Sequence, residues 1–434
     1  MLVWLVLLVT ACGLNDSAPP PIIEPRPAST PTATAAAAPR EAVRADVALL
    51  RLLDQVQEDR LMAHIAALEG MTTRHVNAAQ EIGGYGIGAA ADYIYEQFER
   101  IAATRAGFSV SQQDFTLTFN GITTPQRNII GVLGGTSADA GVVIVGAHYD
   151  SRSWDRRDAE GYAPGANDNA SGVAAVIEMA RIISQQPRRA TVIFVLFSGG
   201  QTGGREGSRA FVDEYLRGFD VDDVMMLNVN RVGNWNNAAG EINARDLHLY
   251  AAPPVDSPSR RLARNLDFMA YHHQLALNII PQTTIDPEGG FGDHLSFDEA
   301  GYTAVRFTSA LEDADAVHGA DTIDRVESAY LAAATRTILG VLHALTAGPS
   351  PPRNITFRAD GATASALWEP VAGASGYVVA MRRHNSLIYE RYFVVDANRT
   401  AAWDGWRDFD LFAVATIDSA GLVGRFSAEI AISR

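Results

Sequence analysis

Two histidines and several acids stand where they could gather a metal ion. His148 and Asp150 are two residues apart in Gly146-Ala147-His148-Tyr149-Asp150, Asp168 lies in the small-residue stretch Pro164-Gly165-Ala166-Asn167-Asp168-Asn169-Ala170-Ser171-Gly172, and His318 sits three residues before Asp321. Imidazole nitrogen and carboxylate oxygen are donors that zinc takes, and zinc with an open position turns a bound water into a nucleophile. Each residue alone has a plainer explanation: His148 as a hydrogen-bonded residue near the core, Asp168 as the cap of the next helix, His318 as a loop residue. Together, at consecutive strand ends, His148, Asp168 and His318 are better explained as one metal site.

The elements that would position them alternate along the chain. Apolar strand-like runs Val142–Val145, Val192–Phe197, Val224–Val229 and Ala304–Phe307 each lead into a polar segment, and helical patterns cover Ala90–Ala103, Ser171–Ile183 and Thr322–Leu345. Continuous apolar strands between helices predict an α/β domain over residues 46–347, a mostly parallel sheet with helices on both faces. In such sheets ligands bind outside the carboxyl ends of the strands, where the polar segments fall.

The motifs form a recognisable series: GAHYD, GANDNASG, a hydrophobic strand, Gly207-Ser208-Arg209-Ala210-Phe211-Val212, Leu227-Asn228-Val229-Asn230-Arg231-Val232-Gly233, Gly292-Asp293-His294-Leu295-Ser296-Phe297, and Val317-His318-Gly319-Ala320-Asp321-Thr322. In order and spacing, over about three hundred residues, the series resembles the di-zinc aminopeptidases of metallopeptidase family 28. The resemblance implies that His148 binds one zinc and Asp150 orients it, that Asp168 bridges two metals, and that His318 binds the second. Asp293 and His294 are candidates for the substrate cleft.

The chain departs from the family pattern where the chemistry is done. After the second strand the family carries Glu-Glu-x-Gly-Leu-x-Gly-Ser, the first Glu acting as general base and the second as a zinc ligand. Counted back from Gly207-Ser208, those positions hold Gln201 and Thr202; counted forward from Phe194, they hold Gly200 and Gln201. Either alignment removes both carboxylates, and an amide cannot serve as the base. A further ligand Asp of the family is Asn230 here. Only Asp168 then remains of three carboxylates that offset the charge of two zinc ions, so zinc is expected weakly or at partial occupancy. The chain is therefore expected to be a catalytically impaired pseudo-peptidase that binds a peptide or small ligand. The alternative is an active metal-dependent aminopeptidase that recruits another carboxylate, such as Glu206, Asp293 or Glu312.

Charge and the chain ends bound the rest. With 35 Lys plus Arg against 50 Asp plus Glu the net charge is −15, which repels nucleic-acid phosphates and argues against a nucleic-acid partner. A single cysteine excludes an intrachain disulfide and a thiolate zinc site. That cysteine, Cys12, closes the apolar run of residues 1–11, which is too short to span a membrane. Leu8-Val9-Thr10-Ala11-Cys12 resembles a bacterial lipobox, so residues 1–12 are expected to be a lipoprotein signal segment, with Cys12 as the lipid anchor. Residues 13–45, rich in Pro, Ala, Thr and Ser, bury too little to fold and are expected to tether the protein outside the cytoplasm, on a membrane. After Ala347-Gly348-Pro349-Ser350-Pro351-Pro352, short strands follow at residues 354–358, 363–368, 376–382, 387–394, 410–417 and 425–432. Residues 348–434 resemble a fibronectin type III sandwich, an all-β unit with Trp368 and Tyr377 in its core.

Overall fold

The computed structural model describes residues 46–433 apart from 238, 287–291, 312–317, 361–362, 397–399 and 404, and of His318, Asp360, Thr363 and Thr400 the backbone alone. Cys12, the tether and Glu312 lie outside the described residues. Three helices come first, α1 (Val47–Leu53), α2 (Glu58–Glu69) and α3 (Gly86–Ala102), then a hairpin of β1 (Phe108–Phe119) and β2 (Ile122–Leu133). The alternating part follows as β3 (Val142–His148), α4 (Ser171–Ile183), β4 (Thr191–Phe197), α5 (Glu206–Ala210), β5 (Val224–Val229), β6 (Asp246–Ala251), α6 (Pro258–His272), β7 (Asn278–Pro281), α7 (His294–Glu299), β8 (Thr303–Ser309) and α8 (Ser328–Ala347).

These strands form one eight-stranded sheet in the order β1-β2-β4-β3-β5-β8-β6-β7. Its centre, β4-β3-β5-β8, is parallel, and antiparallel pairings flank it. Side chains alternate across a strand, so the sheet divides its apolar residues between two layers. Val143, Val145, Val192, Phe194 and Leu196 pack under the helices on one face, whereas Ile144, Ile193, Val195 and Phe197 meet Phe211, Phe297 and Tyr302 on the other. The helix expected at Ser171–Ile183 forms over those residues, with only Arg181 not buried. The helix expected to start at Thr322 instead starts at Ser328. Residues 321–327 are held by others: Ile323 N donates to Glu69 Oε2 at 3.0 Å and Glu327 N to Gly233 O at 2.9 Å.

Beyond α8, β9 (Thr356–Asp360), β10 (Thr363–Leu367) and β13 (Thr400–Trp403) make a three-stranded sheet. A five-stranded antiparallel sheet contains β11 (Gly376–Arg382), β12 (Arg391–Asp396), β14 (Leu411–Ile417), β15 (Val423–Phe426) and β16 (Ile430–Ala431). Trp368 and Tyr377 are buried edge to face, 5.2 Å between ring centroids. The strand expected over 387–394 begins only at Arg391, because Glu390 turns back to hold Arg383 N at 2.6 Å; β13 carries no clear sequence signal. The five-stranded sheet docks on α6. Phe268 lies edge-on to Tyr392 and Phe426, and Glu429 accepts from both Arg264 (2.8 Å) and Arg382 (2.7 Å). Among the described residues no helix is long and apolar enough to cross a membrane.

Candidate functional site

The carboxyl ends of β3, β4 and β5 are neighbours in the parallel part of the sheet, so the chain leaving each strand enters the same space. His148 is the last residue of β3 and is almost wholly buried. Its Nε2 lies 3.2 Å from Asp168 Oδ1, while its Nδ1 faces Asp150, 3.2 Å from the carbonyl and 3.4 Å from Oδ1. Burial disfavours the imidazolium, but the hydrogen bonds and charges of Asp150 and Asp168 outweigh it and push His148 up to about 10. Burial likewise works against the Asp168 anion. The His148 hydrogen bond and charge, the charge of Arg231 and a hydrogen bond from the Gln201 side chain reverse that and hold Asp168 well below the usual carboxylate range.

Asp150 ties two strand exits together. Its carboxylate accepts Gly200 N and Gln201 N, each at 2.8 Å, which lays the segment after β4 across His148. A Cβ on Gly200 would stand 2.5 Å from both Cβ and Cγ of His148, so the main chain itself covers the ring. Gln201, next along, reaches Asp168. Thr202 turns away, donating to Gly199 O at 2.8 Å and to Glu206 Oε2. Of the two sequence alignments, the structure therefore sets Gly200 and Gln201, not Gln201 and Thr202, beside His148 and Asp168. Glu206 closes the loop of residues 199–204, accepting from the Thr202 hydroxyl and packing against Gly199 and Gly204.

Asn230 follows β5, buried, with its N donating to Phe307 O at 3.1 Å and its Oδ1 without a partner among the described residues. Asp293 precedes α7. It is 0% exposed, and burial pushes it up to about 6 even though the charge of His148 and a hydrogen bond from the Ser208 side chain pull the other way. His294, the other cleft candidate, belongs to a different cluster: Nε2 meets Ile285 O at 3.0 Å beside the Asp286–Arg306 ion pair, and burial pushes it down to about 4. His318 begins a short 3-10 turn, and its side chain is outside the described residues.

Two residues that hold the site together were missed in the sequence. Asp321 accepts Asn167 N (2.9 Å) and Asp168 N (2.7 Å) on its carboxylate and Ala166 N (2.9 Å) on its carbonyl, and so sets the loop that carries Asp168. Burial pushes its carboxyl up to about 7 against those two N–H donors. Arg74, fully buried, donates to Tyr149 O (2.7 Å), Leu68 O (3.2 Å), Pro164 O (2.7 Å) and Gly165 O (2.9 Å). Gly165 has φ +50°, and a Cβ there would stand 2.8 Å from Arg74 Nη2, so the glycine is what lets the loop approach. Asp321 stood in a quoted motif without a role, and nothing in the pattern around Arg74 distinguishes it.

The model of peptidase family M28 matches residues 128–342. A probable zinc metalloprotease of Pyricularia oryzae is 30% identical over 373 residues, covering 77% of this chain and 74% of the relative. A probable zinc metalloprotease of Leptosphaeria maculans is 29% identical over 351 residues, 74% of this chain and 80% of the relative. Among solved structures, LapB from Legionella pneumophila superposes with a TM-score of 0.55 at 17% identity, over 69% of this chain and 75% of that one. An aminopeptidase from Aneurinibacillus sp. strain AM-1 gives 0.53 at 14% identity, over 69% and 96%. At such identities the solved structures speak for the fold.

Proposed function

Since this chain belongs to peptidase family M28, we propose that it keeps the family's crevice as a binding site for a peptide or small ligand while its hydrolytic chemistry is impaired. One observation carries the reading: the backbone of Gly200 and the amide of Gln201 lie against His148 and Asp168, where a general base and a metal-binding carboxylate are needed. An amide neither takes a proton from water nor offsets a cation's charge. The names of the relatives make zinc the metal to test.

Two zinc ions do not fit the donors described. Among the described residues no three His, Cys, Asp or Glu side chains gather where one ion could be held. His148 and Asp168 are spent on each other, and the positive charge of Arg231 already acts on Asp168. Asn230 Oδ1, buried and unpaired, is the donor that a single weakly held ion would add to His148 and Asp168, with His318 as the fourth. Equilibrium dialysis against zinc is accordingly expected to leave fewer than two ions per chain. Two zinc ions retained through exhaustive dialysis would refute this donor set.

A second reading has its own support. Asp293, wholly buried and pushed up to about 6, lies within the field of His148 and is a carboxylate available to an active metal-dependent aminopeptidase. Chelator-sensitive release of N-terminal residues from peptides, lost in Asp293→Asn, would establish it.

For location, the lipobox-like Leu8 to Cys12 and the Pro-rich segment behind it support anchoring through a lipid on Cys12, with the fibronectin type III-like sheets docked beside the peptidase fold. The mature chain is expected to begin at Cys12 and to partition with membranes, and Cys12→Ser to abolish both. An unmodified Cys12 in protein from the native host would sink the anchor.

A further inference from the structure

A cleft of about 510 Å³ opens between α2, α3 and α4, on the helical layer and away from the strand ends. Arg181, on its wall, is ten residues along α4 from Ser171, or roughly 15 Å from the end that follows Asp168. The volume lies within the ordinary range for small-molecule sites, and four arginines line it: Arg60, Arg100, Arg105 and Arg181. No carboxylate lies among its lining residues. All 35 basic residues of this chain are arginine, so the choice of arginine over lysine carries no weight here. The convergence does, because like charges that line one cleft raise the local concentration of anions there even in a protein of net charge −15.

The arginines are positioned. Behind the wall, Glu178 is fully buried and accepts from Arg60 Nε at 3.2 Å and from Arg181 Nε and Nη2, each at 2.7 Å. One carboxylate thus aligns two guanidinium groups and offsets a single charge of the four. Among the described residues the Arg100 guanidinium meets Glu96 alone, exposed and at 3.5 Å, and the Arg105 guanidinium the carbonyl of Thr104 alone. His64, 5% exposed, also lines the cleft. Its Nδ1 is 2.7 Å from the Tyr93 hydroxyl, and its Nε2 has no partner among the described residues. Burial pushes the ring down to about 4 and keeps it neutral, so a Tyr93 hydroxyl donating to Nδ1 leaves Nε2–H as an unused buried donor. Such a donor is costly to leave unmade.

We infer that this cleft is a second binding site, for a small molecule that presents a phosphoryl dianion to the arginines and an apolar body to the helices. Guanidinium groups match phosphate oxygens in fork geometry, and the two net positive charges left by four arginines beside Glu178 and Glu96 match a dianion better than a single carboxylate. Ala63, Ile101 and Ile177 supply the apolar part of the wall.

The test uses the full chain and phenyl phosphate, with inorganic phosphate and benzoate as comparison probes, at constant ionic strength, read by titration calorimetry and thermal shift. Phenyl phosphate is expected to bind with 1:1 stoichiometry, at least tenfold more tightly than benzoate. Arg100→Ala with Arg105→Ala, at positions outside the buried Glu178 cluster, is expected to weaken phenyl phosphate at least tenfold and to leave the unliganded melting temperature unchanged. Inorganic phosphate binding more weakly than phenyl phosphate, and losing affinity in the same double variant, supports a phosphoryl head with an apolar body. Equal affinity for benzoate, no saturable binding by 10 mM phenyl phosphate, or equal binding by the parent and the double variant would each overturn the inference.

Discussion

Replacing Arg74 by alanine is expected to remove on the order of 5 kcal/mol of stability, a large part of the 5–15 kcal/mol that a folded domain has. The guanidinium satisfies four main-chain carbonyls, those of Leu68, Tyr149, Pro164 and Gly165, inside a region where Arg74 itself is 0% exposed. Each buried carbonyl left without a donor costs about 1–3 kcal/mol, less whatever water recovers. Electrostatics adds to the loss. Burial depresses Arg74 to about 10, yet the surrounding Asp321, Asp150, Asp168 and Glu69 favour its charge, and alanine would leave those acids facing one another. A second set of bonds uses the main chain and is open to alanine as well: Arg74 N donates to Ser151 Oγ at 3.1 Å, Ser151 N to Arg74 O at 3.1 Å, and Ser151 Oγ to Ala163 O at 2.7 Å. The loops carrying Asp150 and Asp168 are thus fastened to one segment. Scanning calorimetry should place the main transition at least ~10 °C lower in Arg74→Ala, since each kcal/mol moves a domain of this size by about 2–4 °C. Lysine at position 74 should recover little, because one ammonium cannot span four carbonyls that the planar fork reaches. A shift under about 3 °C for Arg74→Ala would show that the loops stand without it.

The strands that carry the site were legible because buried parallel strands write themselves as apolar runs. Val192–Phe197 and Val224–Val229 are observed over nearly the same residues, and Ser171–Ile183 showed its helical period. What lay beyond the pattern was the loops' internal bonding. The loss of the acids at the Glu-Glu position was visible in either alignment, but which residue faced His148 depended on Asp150 capturing Gly200 N and Gln201 N, a contact fifty residues apart in sequence. Arg74 and Asp321 act on main-chain atoms, and a main-chain acceptor leaves no trace in residue identity. His294 illustrates the converse. Its motif pointed to the cleft, yet only its neighbour Asp293 lies within the field of His148, while the imidazole turns to Ile285.

Turnover of aminoacyl reporter substrates by the unmodified chain is expected to match that of a His148→Ala, Asp168→Ala control. A positioned carboxylate typically contributes about a hundredfold to ten-thousandfold to proton removal from an attacking water, and at Gly200 there is no side chain to supply it. The geometry also ranks the repairs. Gln201→Glu with Asn230→Asp adds acids at positions that are already buried around Asp168 and β5, so it should raise zinc affinity while leaving turnover at background. Adding Gly200→Glu is a different operation, because its Cβ would meet His148 at 2.5 Å and the segment after β4 would have to lift off the ring. That segment is one residue longer than the family pattern between Gly200 and Ser208, with Glu206 bonded back onto Thr202 to accommodate the excess. Deleting Glu206 together with Gly200→Glu, Gln201→Glu and Asn230→Asp should therefore be the first combination to show chelator-sensitive hydrolysis, whereas the same three substitutions in the full-length loop should lose stability without gaining activity. Robust chelator-sensitive activity in the unmodified chain would remove the argument from Gly200 altogether and leave Asp293 as the carboxylate to pursue.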